Sequence, residues 1–120
     1  MPAPSLELQT LKAEFFRALA HPVRIRLLEA LVSFGEQNVH ALQQRLGIDQ
    51  PIVSQQLARL RSSGIVTARK SGTTVSYALA DPRVGDLLKV AKDILNGQLT
   101  GAQTLLRELR RDRAADRSRR

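Results

Sequence analysis

Between Gln50 and Ser62 the chain sets two kinds of residue at helical spacing. Val53, Leu57 and Leu60 stand at i, i+4 and i+7, the mark of a helix with one buried stripe. The other faces then carry Gln50, Ser54, Gln55, Ala58, Arg59 and Ser62. Their shared chemistry is hydrogen bonding to bases and phosphates. A glutamine amide pairs with two atoms of adenine at once, a serine hydroxyl reaches a base edge or a phosphate, and arginine reaches guanine or phosphate. The row lacks a carboxylate, which phosphates would repel. Pro51 stands in the first turn of this helix, where no hydrogen-bonding N–H is lost. An ordinary solvated helix face has a similar composition, so what lies around the row decides between the two.

Arg69, Lys70 and Thr73 lie around Gly72 in a hairpin pattern. The two cations suit phosphate clamps or minor-groove probes, and they also suit a charged edge strand that blocks aggregation. The net charge of +8 is unevenly spread. Residues 1–36 and 81–109 balance, each with four basic and four acidic side chains. Residues 37–80 hold Arg45, Arg59, Arg61, Arg69 and Lys70 against Asp49 alone, and residues 110–120 hold six arginines against Asp112 and Asp116. A localised basic block is the electrostatic footprint of a polyanion partner.

Composition removes other chemistries. With no cysteine, disulfides, thiolate metal sites and cysteine nucleophiles are excluded. No histidine–nucleophile arrangement or paired-carboxylate cleft is visible. Gly97-Gln98-Leu99-Thr100-Gly101 is no phosphate loop, because it lies inside an apolar-periodic helix. No apolar run approaches the ~18 residues of a membrane span, and no basic-then-apolar leader opens the chain, so a cytoplasmic protein is expected.

The elements that position these residues follow in order. Residues 1–5 read as a frayed end, with Ser5 able to cap a first helix marked by Leu8, Leu11, Phe15 and Leu19. His21-Pro22 breaks it and starts a second helix to about Ser33, burying Val23, Leu27, Leu28 and Leu31 before Gly35. A third helix, Val39 to Leu46, buries Leu42 and Leu46 and stops at Gly47. The side chain of Asp49 is expected to cap the fourth helix, from about Gln50 to Ser63. Ile65 to Lys70 and Thr74 to Leu79 form a hairpin around Ser71-Gly72-Thr73. Asp81-Pro82 then opens a long helix whose apolar stripe runs from Val84 to Leu109, with Gly97 and Gly101 marking a kink or a close helix crossing. The sum is one domain over 6–109, mainly α (α+β), with a basic disordered tail at 110–120. Two helices joined by Gly47-Ile48-Asp49 and followed by a hairpin make a winged helix-turn-helix.

The chain resembles the ArsR/SmtB family of bacterial winged-helix regulators. The resemblance rests on Phe15 to Leu28, which contains Ala20-His21-Pro22-Val23-Arg24-Ile25-Arg26-Leu27-Leu28, on Leu46 to Leu57, and on the wing from Gly64 to Tyr77. It implies operator DNA as partner and a homodimer built from the first and last helices. The dimer candidates are Leu8, Leu11, Phe15, Leu87, Leu88, Ala91, Ile94, Leu95 and Leu99. The long apolar stripe independently wants a partner. Many relatives sense metals through cysteines on the third helix or through Asp and His on the last. Here Asn38 and His40 replace the cysteines, and the last helix holds Asp86 and Asp93 but no histidine. His21 reads as a helix-start residue and His40 as a surface residue. A weaker Ni or Zn effector site at His40 with Glu36 or neighbouring carboxylates is the remaining metal candidate, with a small-molecule effector as the other form of that alternative and no other cofactor expected. A further alternative is an accessory protein docked on the last helix.

Overall fold

A computed structural model describes residues 6–118, and it divides into a unit ending at Gly85 and a unit beginning at Asp86. The expected frayed end at 1–5, with its Ser5 cap, lies outside the described residues. The first unit contains α1 (Glu7–Leu19), α2 (Pro22–Phe34), β1 (Gln37–Asn38), α3 (Val39–Leu46), α4 (Gln50–Ser62), β2 (Val66–Ser71) and β3 (Thr74–Leu79). The helix order and the hairpin follow the sequence expectation.

His21 and Pro22 divide α1 from α2 as their types dictate. His21 is extended, as a residue before proline must be, and its Nδ1 accepts the Val23 N–H at 3.1 Å. The imidazole is thereby the N-cap of α2. Leu27, Leu28, Ala30 and Leu31 form the buried side of α2. Val23, expected in that stripe, is only half-buried, because it sits in the open first turn, and Ala30 joins the stripe instead. The other buried apolar residues of the core include Leu42 from α3, Val53, Leu57 and Leu60 from α4, and Ile65 and Val66 at the start of the wing. Leu46 is half-buried at the end of α3, where its carbonyl accepts from Arg26 Nη2 at 3.2 Å.

The sheet has the order β1-β3-β2 and is antiparallel throughout. The short β1 has no counterpart in the sequence reading. Two polar residues carry no alternating pattern, and only the pairing of Gln37 with Tyr77 and Asn38 with Ser76 makes them a strand.

The last helix, α5 (Arg83–Ser118), begins in the first unit and supplies the second. Asp81 Oδ1 accepts the Arg83 N–H at 2.9 Å and starts it, as expected. The tail expected to be disordered from 110 is helical as far as Ser118. Arginine and alanine are strong helix formers, and neither glycine nor proline follows Gly101, so polarity alone does not end the helix. The helix also runs unbroken through Gly97 and Gly101, and nothing lies within 4 Å of the Cβ position of either. Among the described residues, no other part of the chain crosses closely at either glycine.

Candidate nucleic-acid interface

The fourth helix, α4, is aimed by the turn that precedes it. Asn38 Oδ1 accepts the Ala41 N–H at 2.8 Å and caps α3. Gly47 ends α3 in the left-handed conformation, φ 63°, which a side chain would strain. Asp49 then begins α4, though not through its carboxylate as expected. Its side chain makes no capping bond, and its backbone carbonyl accepts the N–H groups of Ile52 and Val53 at 3.0 and 3.1 Å. The adjacent Pro51 already removes one of the free donors that a carboxylate would have served.

Val53, Leu57 and Leu60 are completely buried and fix the inner face of α4. Beside them lies Gln56, only 8% exposed, a buried polar residue that apolar periodicity does not mark. Its Oε1 accepts from Arg24 Nε at 2.7 Å, and Arg24 Nη1 donates to the Ala18 carbonyl at 2.9 Å. One guanidinium thus joins the end of α1, the start of α2 and the middle of α4.

With that face anchored, Gln50, Pro51, Gln55, Ala58 and Arg59 are exposed. Ser54 is half-buried, at the flank of the row rather than its centre. Ser62 is exposed, but its hydroxyl donates to the Arg59 carbonyl at 3.0 Å. Arg61, exposed on the flank near Ser54, is a cation outside the row expected from spacing.

The wing turns on two residues, Gly72 and Thr73, between the paired Ser71 and Thr74. Gly72 has φ 62° and Thr73 a negative φ, the pattern of a type II′ hairpin turn. Arg69 and Lys70 are both exposed, but strand alternation sends them to opposite faces of the hairpin. Of the two, only Lys70 is unpaired. Arg69 donates from Nε and Nη2 to the two carboxylate oxygens of Glu36, at 3.1 and 2.9 Å. Arg45 is also occupied, with its guanidinium 3.8 Å from the centroid of Phe34 and its Nε on Gln37. Among the described residues, Arg59, Arg61 and Lys70 have no carboxylate partner.

His40 is exposed, and Glu36, its expected companion, is engaged by Arg69. No three His, Asp or Glu side chains converge among the described residues. Among those residues, too, no helix is long and apolar enough to cross a membrane. The apolar candidates on α1, Leu8, Leu11 and Phe15, are all exposed, as is Phe16. On α5, Leu87 and Leu88 are half-buried, while Ala91, Ile94, Leu95 and Leu99 are exposed.

The model of a family described as bacterial regulatory protein, arsR family, matches residues 21–68. The chain is 42% identical over 103 residues to the HTH-type transcriptional regulator Rv0081 of Mycobacterium tuberculosis, covering 86% of this chain and 90% of the relative. It is 40% identical over 86 residues to a biofilm growth-associated repressor of Xylella fastidiosa, covering 72% of this chain and 75% of the relative. The crystal structure of Rv0081 superposes with a TM-score of 0.71 at 43% identity, covering 81% of this chain and 97% of that one. The homodimeric winged helix-turn-helix DNA-binding domain of Mb0332 from Mycobacterium bovis gives the same TM-score at 29% identity, covering 82% and 94%.

Proposed function

The chain belongs to the arsR family of bacterial regulatory proteins, a transcriptional regulator rather than an enzyme, and from that premise we propose that it represses transcription as a homodimer on an inverted-repeat operator. One observation carries the reading. Three buried residues and the Arg24–Gln56 bond seat α4, and this leaves Gln50, Gln55 and Arg59 outward with no carboxylate among them. Gln55, Gln50 and Arg59 meet base edges, Pro51 packs on the sugar-phosphate backbone, and Ser54 reaches it from the flank. Lys70 and Thr73 at the wing contact phosphate, joined by Arg69 once Glu36 releases it.

The exposed apolar residues of α1 and of α5 are the surfaces on which a second copy docks. Leu8, Leu11 and Phe15 supply one, and Leu87, Leu88, Ala91, Ile94, Leu95 and Leu99 the other. Covering them on both copies removes apolar area that a small domain otherwise leaves in water. A two-fold axis then sets the two α4 helices about 34 Å apart, one turn of DNA. Such a regulator works in the cytoplasm, where its operator is. Light scattering gives the dimer mass, and gel-shift on the chain's own promoter gives the binding. A monomer, or equal affinity for promoter and random duplex, contradicts the reading.

A further inference from the structure

The second unit carries a charge pattern that operator probing by α4 does not use. Arg107, Arg110, Arg111 and Arg113 are all exposed on α5. At 3.6 residues per turn they fall within one half of the helix circumference, while Glu108 and Asp112, one turn apart, lie in the other half. None of the four arginines has a carboxylate partner among the described residues. Glu108 and Arg111 stand three residues apart, a spacing at which opposite charges commonly pair along a helix, yet no ion pair joins them. Between residues 107 and 113 the arginine half carries cations and no carboxylate.

We infer that this side of α5 is a second contact for duplex DNA, independent of sequence and separate from the α4 face. The inference rests on the reading of the protein as a DNA-binding regulator. All four cations are arginine, whose planar fork matches a phosphate in a bidentate way that lysine cannot. From 107 to 113 the helix rises about 9 Å, a length over which a duplex presents two to three phosphates per strand along its axis. Such contacts add affinity and salt dependence without discriminating bases. A lipid surface is the competing polyanion, but α5 has no aromatic residue with which to anchor in one.

The experiment uses the full chain and a variant with Arg107, Arg110, Arg111 and Arg113 changed to Gln. Glutamine keeps the helix propensity, and circular dichroism checks that it does. Fluorescence anisotropy measures dissociation constants on a promoter duplex and on a random duplex between about 50 and 200 mM KCl. The slope of log K against log salt is expected to flatten by about 0.9 for each phosphate that the variant no longer neutralises, equally on both duplexes. The same four positions changed to Lys are expected to keep most of the slope. If the four-fold Gln variant does not fold, Arg110→Gln and Arg113→Gln are measured singly for the same decrement. Superposable slopes overturn the inference and leave the α4 reading standing. A variant that loses binding only to phosphatidylglycerol vesicles overturns it in favour of a lipid surface. A parent chain that binds no duplex at low salt overturns both readings.

Discussion

Arg24 Nε donates to Gln56 Oε1 at 2.7 Å, and the same guanidinium holds the carbonyl of Ala18 at 2.9 Å. Gln56 is buried on α4, so the angle of the exposed row of α4 is set by a polar bond as well as by apolar packing. Changing Gln56 to Leu leaves a partly buried Arg24 donor unsatisfied, and about 1–3 kcal/mol of stability should be lost. Urea unfolding of Gln56→Leu, Arg24→Met and the double variant measures it. The two effects are expected to be non-additive by at least about 0.5 kcal/mol, since the residues share one bond.

Gly47 fixes where α3 stops. Its φ of 63° costs an L side chain about 1–2 kcal/mol, so Gly47→Val should lower stability by that amount. Space is not the issue, because nothing lies within 4 Å of its Cβ position. Equal unfolding midpoints for the two proteins would show that the turn does not hold this conformation.

Glu36 holds Arg69, which the proposed function places on phosphate. The pair is solvent-exposed, with the Arg69 side chain 75% accessible, so its loss should change stability by less than about 1 kcal/mol. Glu36→Gln should nonetheless tighten duplex binding and steepen its salt dependence, because it frees a fork that suits phosphate. Lys70→Ala should do the reverse and reduce the salt slope by about 1. Anisotropy titrations in a salt series measure both.

Asp81 starts α5 with its carboxylate. The side-chain hydrogen bond from Arg83, then the Arg83 backbone N–H, lower its pKa from the ordinary carboxylate range to about 2. A depressed pKa means that the cap is fully present above about pH 4 and is lost as pH falls through about 2. The Asp81 carboxyl resonance should titrate with a midpoint near 2, and Arg83→Gln should move it toward the usual range. A midpoint near 4 in the parent protein would show that the cap is not formed.

Periodic and chemically marked features are legible from sequence. The stripe Val53-Leu57-Leu60 fixes both the existence and the rotation of α4, and proline and glycine punctuation places α2, α3 and the wing turn. Features that depend on partners distant in the chain are not legible. Gln56 looks like another polar residue until α2 brings Arg24 against it, 32 residues away in sequence. Arg69 looks like a free cation until β2 carries it to Glu36. β1 is a strand only by virtue of β3. The helix beyond Leu109 escapes a sequence reading for another reason. Absence of apolar residues signals absence of structure, yet arginine and alanine hold a helix without a core.

In the proposed function the outward row of α4 discriminates sequence. Gln55→Ala isolates that role, because Gln55 is exposed and takes no part in the packing of α4. Anisotropy titrations on the promoter duplex and on a random duplex should show a loss of about 1–3 kcal/mol on the promoter, with binding to the random duplex unchanged. Unchanged affinity for both duplexes, or an equal loss on both, would contradict a direct base contact from this helix.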